Sequence, residues 1–232
     1  MIFVAVYRLI EQLVFPPVEL AEPEGLLAIG GDLSPQRLLL AYSSGIFPWY
    51  NNGDPILWWS PDPRCVLFPA DLKVSRSLAK LLRRQPFEIT FNRSFRQVMT
   101  VCGELRQQQG DGTWITEEMI EAYCHLHELG FAHSVESWQD GELVGGLYGV
   151  CLGRCFFGES MFHTVSNASK IAFVTLVRRL EKLGYRVIDC QQTTSYLLSM
   201  GATEIPRAEF LQRLRQYGVT PSSWPVPSPF PL

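Results

Sequence analysis

Apolar positions change their spacing several times along the chain, and each change marks a structural element. Leu38, Leu39 and Tyr42 recur at helical spacing after Ser34-Pro35, and Gly45 follows them. A serine offers a side-chain acceptor to the first free N–H groups, proline suits the first helical position, and glycine tolerates the conformation that ends a helix. A short amphipathic helix is predicted there, with loops and short strands in the rest of residues 1–62. Val74 to Arg84 reads as a second helix, followed by a strand near Phe87–Phe91. Asn92 is predicted to begin a third helix carrying Phe95, Val98 and Met99. Thr116-Glu117-Glu118 opens a fourth, which runs to about Leu129 and is closed by Gly130.

The pattern then shortens to strands. Ala132–Trp138 and Glu142–Cys151 flank a hairpin turn at Gln139-Asp140-Gly141. A second turn at Leu152-Gly153 leads to a strand over Arg154–Glu159. Ser166-Asn167 can cap a helix over Ala168–Leu183, Gly184 closes it, and Tyr185–Cys190 forms a further strand. A meander followed by a β–α–β crossover is the result. Such a crossover joins parallel strands and is right-handed by default. This is an α+β pattern with a mixed sheet, and it resembles the core of acetyltransferase-like (GNAT) folds. The Pro-rich Ser60-Pro61-Asp62-Pro63 is the expected boundary between a small N-terminal domain, 1–62, and a catalytic domain, 63–232. The tail from Thr220 to Leu232 holds five prolines in thirteen residues and is expected to be extended.

Composition narrows the class. Hydrophobic residues make up 47% and charged residues 19%, the balance of a globular protein. The N-terminal apolar run is interrupted by Arg8 and Glu11, and it has neither a basic leader nor a cleavage site. A soluble, unexported, cytoplasmic monomer with no membrane partner is expected. Six cysteines are scattered without a CxxC pair; Cys151 and Cys155 flank a turn and are expected to be buried reduced thiols. No metal is expected, because no His or second Cys pair sits at ligand spacing. The net charge of −3 excludes a globally basic nucleic-acid binder, so any RNA contact must come from a local patch.

One such patch lies in Lys73 to Arg84. Arg76, Lys80, Arg83 and Arg84 share one broad helical face, backed by Leu78, Leu81 and Leu82. This face can dock on phosphates or simply be solvated. A second feature is Asp189-Cys190-Gln191 at the end of the last strand. A carboxylate leaving a parallel strand there faces the crevice where such folds hold ligands, and Glu159 on the neighbouring strand can converge on it. The alternative is a cap or turn role for Asp189. The strand–helix junction carries only Gly158, so the Gly-rich loop that cradles a coenzyme A pyrophosphate is missing. Gly158 to Phe162 lacks the second glycine of a nucleophile elbow. His125 and His127 face different ways on a helix, His133 and His163 are isolated, and Gly30-Gly31-Asp32 is a turn. From spacing alone, an acetyl-coenzyme A transferase and a non-catalytic RNA-binding module both stay open.

A longer-range likeness narrows these readings. The stretches GLLAIGGDLSPQRLLLAY, GIFPWY, DPILWWSPDPR, GTWIT, HELGFAHSVE, ELVGGLYGV, FGESMF, NASK and IDCQ occur in order. Together they resemble the leucyl/phenylalanyl-tRNA–protein transferase family over almost the whole chain. The resemblance implies transfer of Leu, Phe and, less readily, Met from aminoacyl-tRNA (Leu-tRNA, Phe-tRNA) to the N-terminal Arg or Lys of acceptor proteins. The product is marked for degradation by the N-degron pathway, and no cofactor is used. By the same likeness Asp189 and Gln191 match the catalytic pair. Glu159, Trp114, Trp49 and Tyr123 line the site, Leu147, Met161 and Leu176 form the side-chain pocket, and Arg76, Lys80 and Arg83 match the tRNA patch. Leu147 and Leu176 depart from the family's Met and Phe, and Glu104–Asp111 reads as a slightly longer loop. Ester aminolysis runs downhill, so the obstacles are a protonated amine and a developing oxyanion. Asp189 and Gln191 are expected to orient the amine and relay its proton, or Asp189 to attract the acceptor's cationic side chain.

Overall fold

A computed structural model describes residues 6–108 and 113–222, together with Pro227 and Phe230. The N-terminal part builds a four-stranded sheet from β1 (Tyr7–Leu9), β2 (Leu26–Gly30), β3 (Phe47–Pro48) and β4 (Leu57–Trp59), in the order β1-β2-β4-β3. Helix α1 (Pro35–Ser43) follows β2. The Ser34 hydroxyl accepts from the Arg37 N–H at its start, as the sequence indicated.

The larger sheet has seven strands. They are β5 (Arg64–Leu67), β6 (Glu88–Phe91), β7 (Ala132–Gln139), β8 (Glu142–Leu152), β9 (Cys155–His163), β10 (Val187–Gln191) and β11 (Thr203–Ile205). Their spatial order is β11-β5-β10-β9-β8-β7-β6. Strands β7 to β9 form the expected meander, β6 pairs with β7 at its edge, and α5 (Ala168–Lys182) carries the chain from β9 to its parallel neighbour β10. This mixed sheet with its crossover is the α+β arrangement expected from the sequence. The remaining helices are α2 (Arg76–Arg84), α3 (Phe95–Gln108), α4 (Glu117–Glu128), α6 (Ser195–Ser199) and α7 (Arg207–Gln216).

Several local expectations need correction. Asn92 does not begin α3. It sits at φ 59°, and its side chain reaches across to β7, accepting from the Ser134 N–H at 3.0 Å and meeting His133 at 3.1 Å. Residues 104–108, read as loop, continue α3 to Gln108; the rest of that stretch lies outside the described residues. Strand β9 runs four residues past Glu159, to His163. Asn167 stands at the N-cap of α5, but at φ 68° and without a side-chain cap bond. Most of the Pro-rich tail lies outside the described residues. Pro227 bridges to Leu152, and Phe230 stacks on the His133 ring at 3.9 Å.

The six cysteines are free thiols, with Cys151 and Cys155 buried. The histidines are held by neighbours: His127 stacks on Phe95, and His163 meets the Ser169 hydroxyl. Burial and the nearby His127 push the His133 pKa down to about 4. One apolar cluster runs through both sheets, joining Leu38 and Trp58 to Val150 and Phe157. A second lies between the large sheet and α5, around Leu67, Ile171 and Leu180. Among the described residues no helix is long and apolar enough to cross a membrane.

The meander carries an irregularity that shapes the site. Pairing between β8 and β9 slips after Tyr148↔Ser160 to Gly149↔Gly158, so Glu159 has no partner across the ladder. An extra residue of this kind bends its strand and redirects its side chain. Gly149 permits the bend, because a Cβ there would meet the Phe157 carbonyl oxygen at 2.2 Å. Gly149→Ala is expected to destabilise the fold by about 1–3 kcal/mol. For a chain of this size that lowers Tm by about 2–4 °C per kcal/mol, measurable by thermal unfolding.

Candidate active site

Strands β9 and β10 are paired over only three residues, Val187↔Cys155 to Asp189↔Phe157. Beyond that both are irregular: Glu159 is extra on β9, and pairing of β10 with β5 slips between Asp189 and Gln191. Gln191 takes φ 61°. The two parallel strands therefore part, and a cavity of about 410 Å³ opens where they separate. Ligands of parallel α/β sheets gather at such carboxyl ends.

Arg64 on β5 fixes the β10 side of this gap. Its Nε and Nη2 donate to the two carboxylate oxygens of Asp189 at 2.8 and 2.7 Å, and Nη1 donates to the Gly45 carbonyl. The guanidinium lies between the rings of Phe47 and Phe210, at 4.7 and 4.8 Å from their centroids. Both charged groups are buried. Asp189 Oδ1 also accepts from the Gln191 N–H at 2.9 Å, which holds the turn at the strand end. Asp189 thus borders the cavity with its carboxylate already engaged by Arg64.

Glu159 fixes the other side. Its Oε1 accepts from Gln191 Nε2 and from the Tyr42 hydroxyl, each at 2.8 Å, and its Oε2 accepts from the Tyr123 hydroxyl at 3.3 Å. The two tyrosine hydroxyls also meet each other. Burial pushes the Glu159 carboxyl up to about 7, against the lowering effect of these hydrogen bonds. Burial first, and then the charge of Glu159, hold both phenols well above the ordinary tyrosine range.

The remaining walls are aromatic and apolar. Trp49 and Trp114 meet edge to face at 6.0 Å, and the Arg106 guanidinium stacks 4.1 Å over Trp114 while donating to the Ser160 hydroxyl. Leu147, Met161, Phe156, Phe173, Ile188 and Leu197 form the apolar part.

Most of the residues singled out in the sequence gather here: Trp49, Trp114, Leu147, Glu159, Met161, Asp189 and Gln191 all line the cavity. Two do not. Leu176 is packed in the core between α5 and the sheet; Phe173, one turn earlier on the same helix, takes the cavity wall instead. Tyr123 is buried behind Glu159 and reaches the site only through that carboxylate. Arg76, Lys80 and Arg83 stand exposed on α2, away from the cavity lining. Sequence reasoning missed Arg64, Tyr42, Arg106 and Phe173. Arg64 and Tyr42 close two of the matched stretches, DPILWWSPDPR and GLLAIGGDLSPQRLLLAY, and that was their available signal. Among the described residues no three His, Cys, Asp or Glu side chains converge to hold a metal ion.

Residues 66–215 match the family model described as leucyl/phenylalanyl-tRNA protein transferase, and residues 31–62 match the model for that protein's N-terminal domain. The chain belongs to the leucyl/phenylalanyl-tRNA–protein transferase family. It is 63% identical over 226 residues to a leucyl/phenylalanyl-tRNA–protein transferase from Syntrophotalea carbinolica, covering 97% of this chain and 98% of that one. It is 66% identical over 204 residues to the protein of that name from Nitrosospira multiformis, covering 87% and 88%. A solved GCN5-related N-acetyltransferase from Kribbella flavida covers 72% of this chain and 58% of its own, at 11% identity and a TM-score of 0.35. The transferase is thus an aminoacyltransferase, and the cavity between β9 and β10 is its candidate active site.

The buried pair gives a direct test. Removing one partner of a buried ion pair strands the other charge and costs about 3–5 kcal/mol, whereas removing both costs less. Arg64→Met is expected to lower stability by about that amount, and Arg64→Met with Asp189→Asn to recover part of it. Urea unfolding of the two single variants and the double variant measures the coupling.

Proposed function

We propose that the cavity holds the aminoacyl end of a Leu- or Phe-tRNA and joins its acyl group to the N-terminal amine of an acceptor protein. The observation that carries this reading is the juxtaposition of an apolar recess with a single uncompensated carboxylate. Leu147, Met161, Phe173 and Ile188 suit a branched or aromatic side chain, while the Asp189 charge is already matched by Arg64. Such a recess separates side chains by only about 1–3 kcal/mol per methylene, so Leu, Phe and Met overlap; the family likeness makes Met the poorest of the three. The terminal adenine stacks on the tryptophan rim of Trp49 and Trp114.

Glu159 is the group that receives a proton from the acceptor ammonium. Its pKa, raised to about 7, lies close to the reference range of about 7.7–8.0 for an α-amine, so transfer between them is nearly balanced. Gln191 orients the amine or the scissile carbonyl from the opposite strand. Asp189 acts as a positioning residue, holding the Gln191 backbone while itself held by Arg64. The free amine attacks the ester carbonyl, the nitrogen of the tetrahedral intermediate passes a proton to the departing 3′-oxygen through the vicinal 2′-hydroxyl as the C–O bond breaks and the amide forms, and Glu159 returns its proton to solvent. The exposed face of Arg76, Lys80 and Arg83 supports the RNA. The family likeness carries the choice of N-terminal Arg or Lys, a cytoplasmic setting and the consequence for the product, which is degradation by the N-degron pathway. It likewise carries the division at residues 62 and 63.

The deciding experiment mixes the protein with radiolabelled Leu-tRNA and a peptide beginning with Arg; label in the peptide is the expected result, and binding without transfer would refute it. Glu159 must be ionised to accept a proton, so kcat should rise as pH passes about 7. Glu159→Gln should lose that limb and at least about 100-fold in kcat, the scale of general-base catalysis. Leu147→Phe should fill the recess and lower the Phe-to-Leu ratio of kcat/KM by about 10-fold or more.

A further inference from the structure

A second cavity, of about 430 Å³, is lined in part by Tyr196 and Ser199 of α6. Tyr196 is a wall common to both. The polar lining includes Lys73, Ser75, Ser77, Asn167 and Lys170, and no carboxylate lines it among the described residues. Ser75 and Asn167, which line this cavity, are the N-cap residues of α2 and α5, so two helix N-termini with their partial positive charges border one space; the Leu78 N–H is taken by the Ser75 hydroxyl and the Ala168 N–H by the Val165 carbonyl. The Lys170 ammonium stands 5.7 Å from the centre of the Tyr196 ring. The Tyr196 hydroxyl is buried and has no hydrogen-bond partner among the described residues. The Lys73 backbone is anchored, its N–H donating to the Met200 carbonyl at 2.9 Å, so its ammonium is delivered from a fixed point.

This concave, cationic, hydroxyl-rich surface fits a phosphate. The Asn167 end of α5 is also where an acetyltransferase-like crossover would hold a pyrophosphate on a Gly-rich loop, and this chain has no such loop. Resting on the reading of the first cavity as the aminoacyl site, we propose that the second cavity binds a backbone phosphate of the donor RNA, held between Lys73 and Lys170. Two observations favour an RNA phosphate over a free anion. The cavity shares Tyr196 with the active site, and Ser75 and Ser77 flank Arg76, the first residue of the exposed basic face of α2. The contact fixes the position of the acceptor arm and reads no base.

Two donors separate this site from the chemistry. Aminoacyl-tRNA carries the phosphates; aminoacyl-adenosine has the same ester and none. In Lys73→Gln/Lys170→Gln, with folding checked by urea unfolding, KM for aminoacyl-tRNA should rise about 10-fold or more at low salt. The log–log salt dependence of deacylated-tRNA binding should flatten by about 1–2 units. Transfer from aminoacyl-adenosine should be unchanged, and Lys170→Arg, which keeps the charge, should retain tRNA affinity. Excess inorganic phosphate should compete weakly with tRNA in the wild type and not at all in the double variant. An unchanged KM and salt slope would overturn the proposal, and so would an equal fall with both donors, which would make the lysines structural. If the wild-type protein transferred from neither donor, the aminoacyl reading would fail by itself. The salt slope of tRNA binding would still decide the phosphate site.

Discussion

The site depends on one buried ion pair. Arg64 and Asp189 lie on neighbouring antiparallel strands, both out of water, with two short hydrogen bonds between them. Such a pair adds little stability over an apolar one of equal volume, because desolvation offsets most of the attraction. Its value here is geometric. Arg64 also bonds the Gly45 carbonyl and is clasped by Phe47 and Phe210, so one guanidinium ties the end of α1, the small sheet, β5, β10 and α7 to a single point. From that point Asp189 holds the Gln191 backbone, Gln191 reaches Glu159, and Glu159 reaches the two tyrosines.

The ion pair also divides labour between two carboxylates. Asp189 is electrically matched; Glu159 is surrounded by neutral hydroxyl and amide donors, which stabilise its charge less than a cation does. Glu159 can therefore take up and release a proton near neutrality, while Asp189 stays tied to Arg64. The strands that carry them are parallel and adjacent, yet the groups differ because one strand faces β5 with its arginine and the other bends away at its extra residue.

How much of this was legible depended on range. The caps Ser34 and Thr116 act within three residues, and each accepts the expected backbone N–H. Asn92 misled because its side chain serves a neighbouring strand rather than its own helix. The length of β9 was hidden because the slip against β8 at Glu159 cannot be read from the residue pattern. Leu176 and Phe173 lie three apart on one apolar stripe of α5; which of them meets a core and which a cavity is set by where β9 and β10 part. Arg64 reads as a surface residue, since charged side chains are rarely buried, and only its distant carboxylate reveals otherwise.

The distribution of these parts along the chain has a consequence for synthesis. Tyr42 comes from α1, Arg64 from β5, Tyr123 from α4, and Phe210 from the last helix. A nascent chain that has emerged through β9 already carries the carboxylate and both tyrosines, but it lacks the strand that bears Gln191 and the ring that closes over Arg64. This site thus cannot be complete until α7 has been made: a product that stops before β10 lacks Gln191, and one that stops before α7 lacks the Phe210 ring.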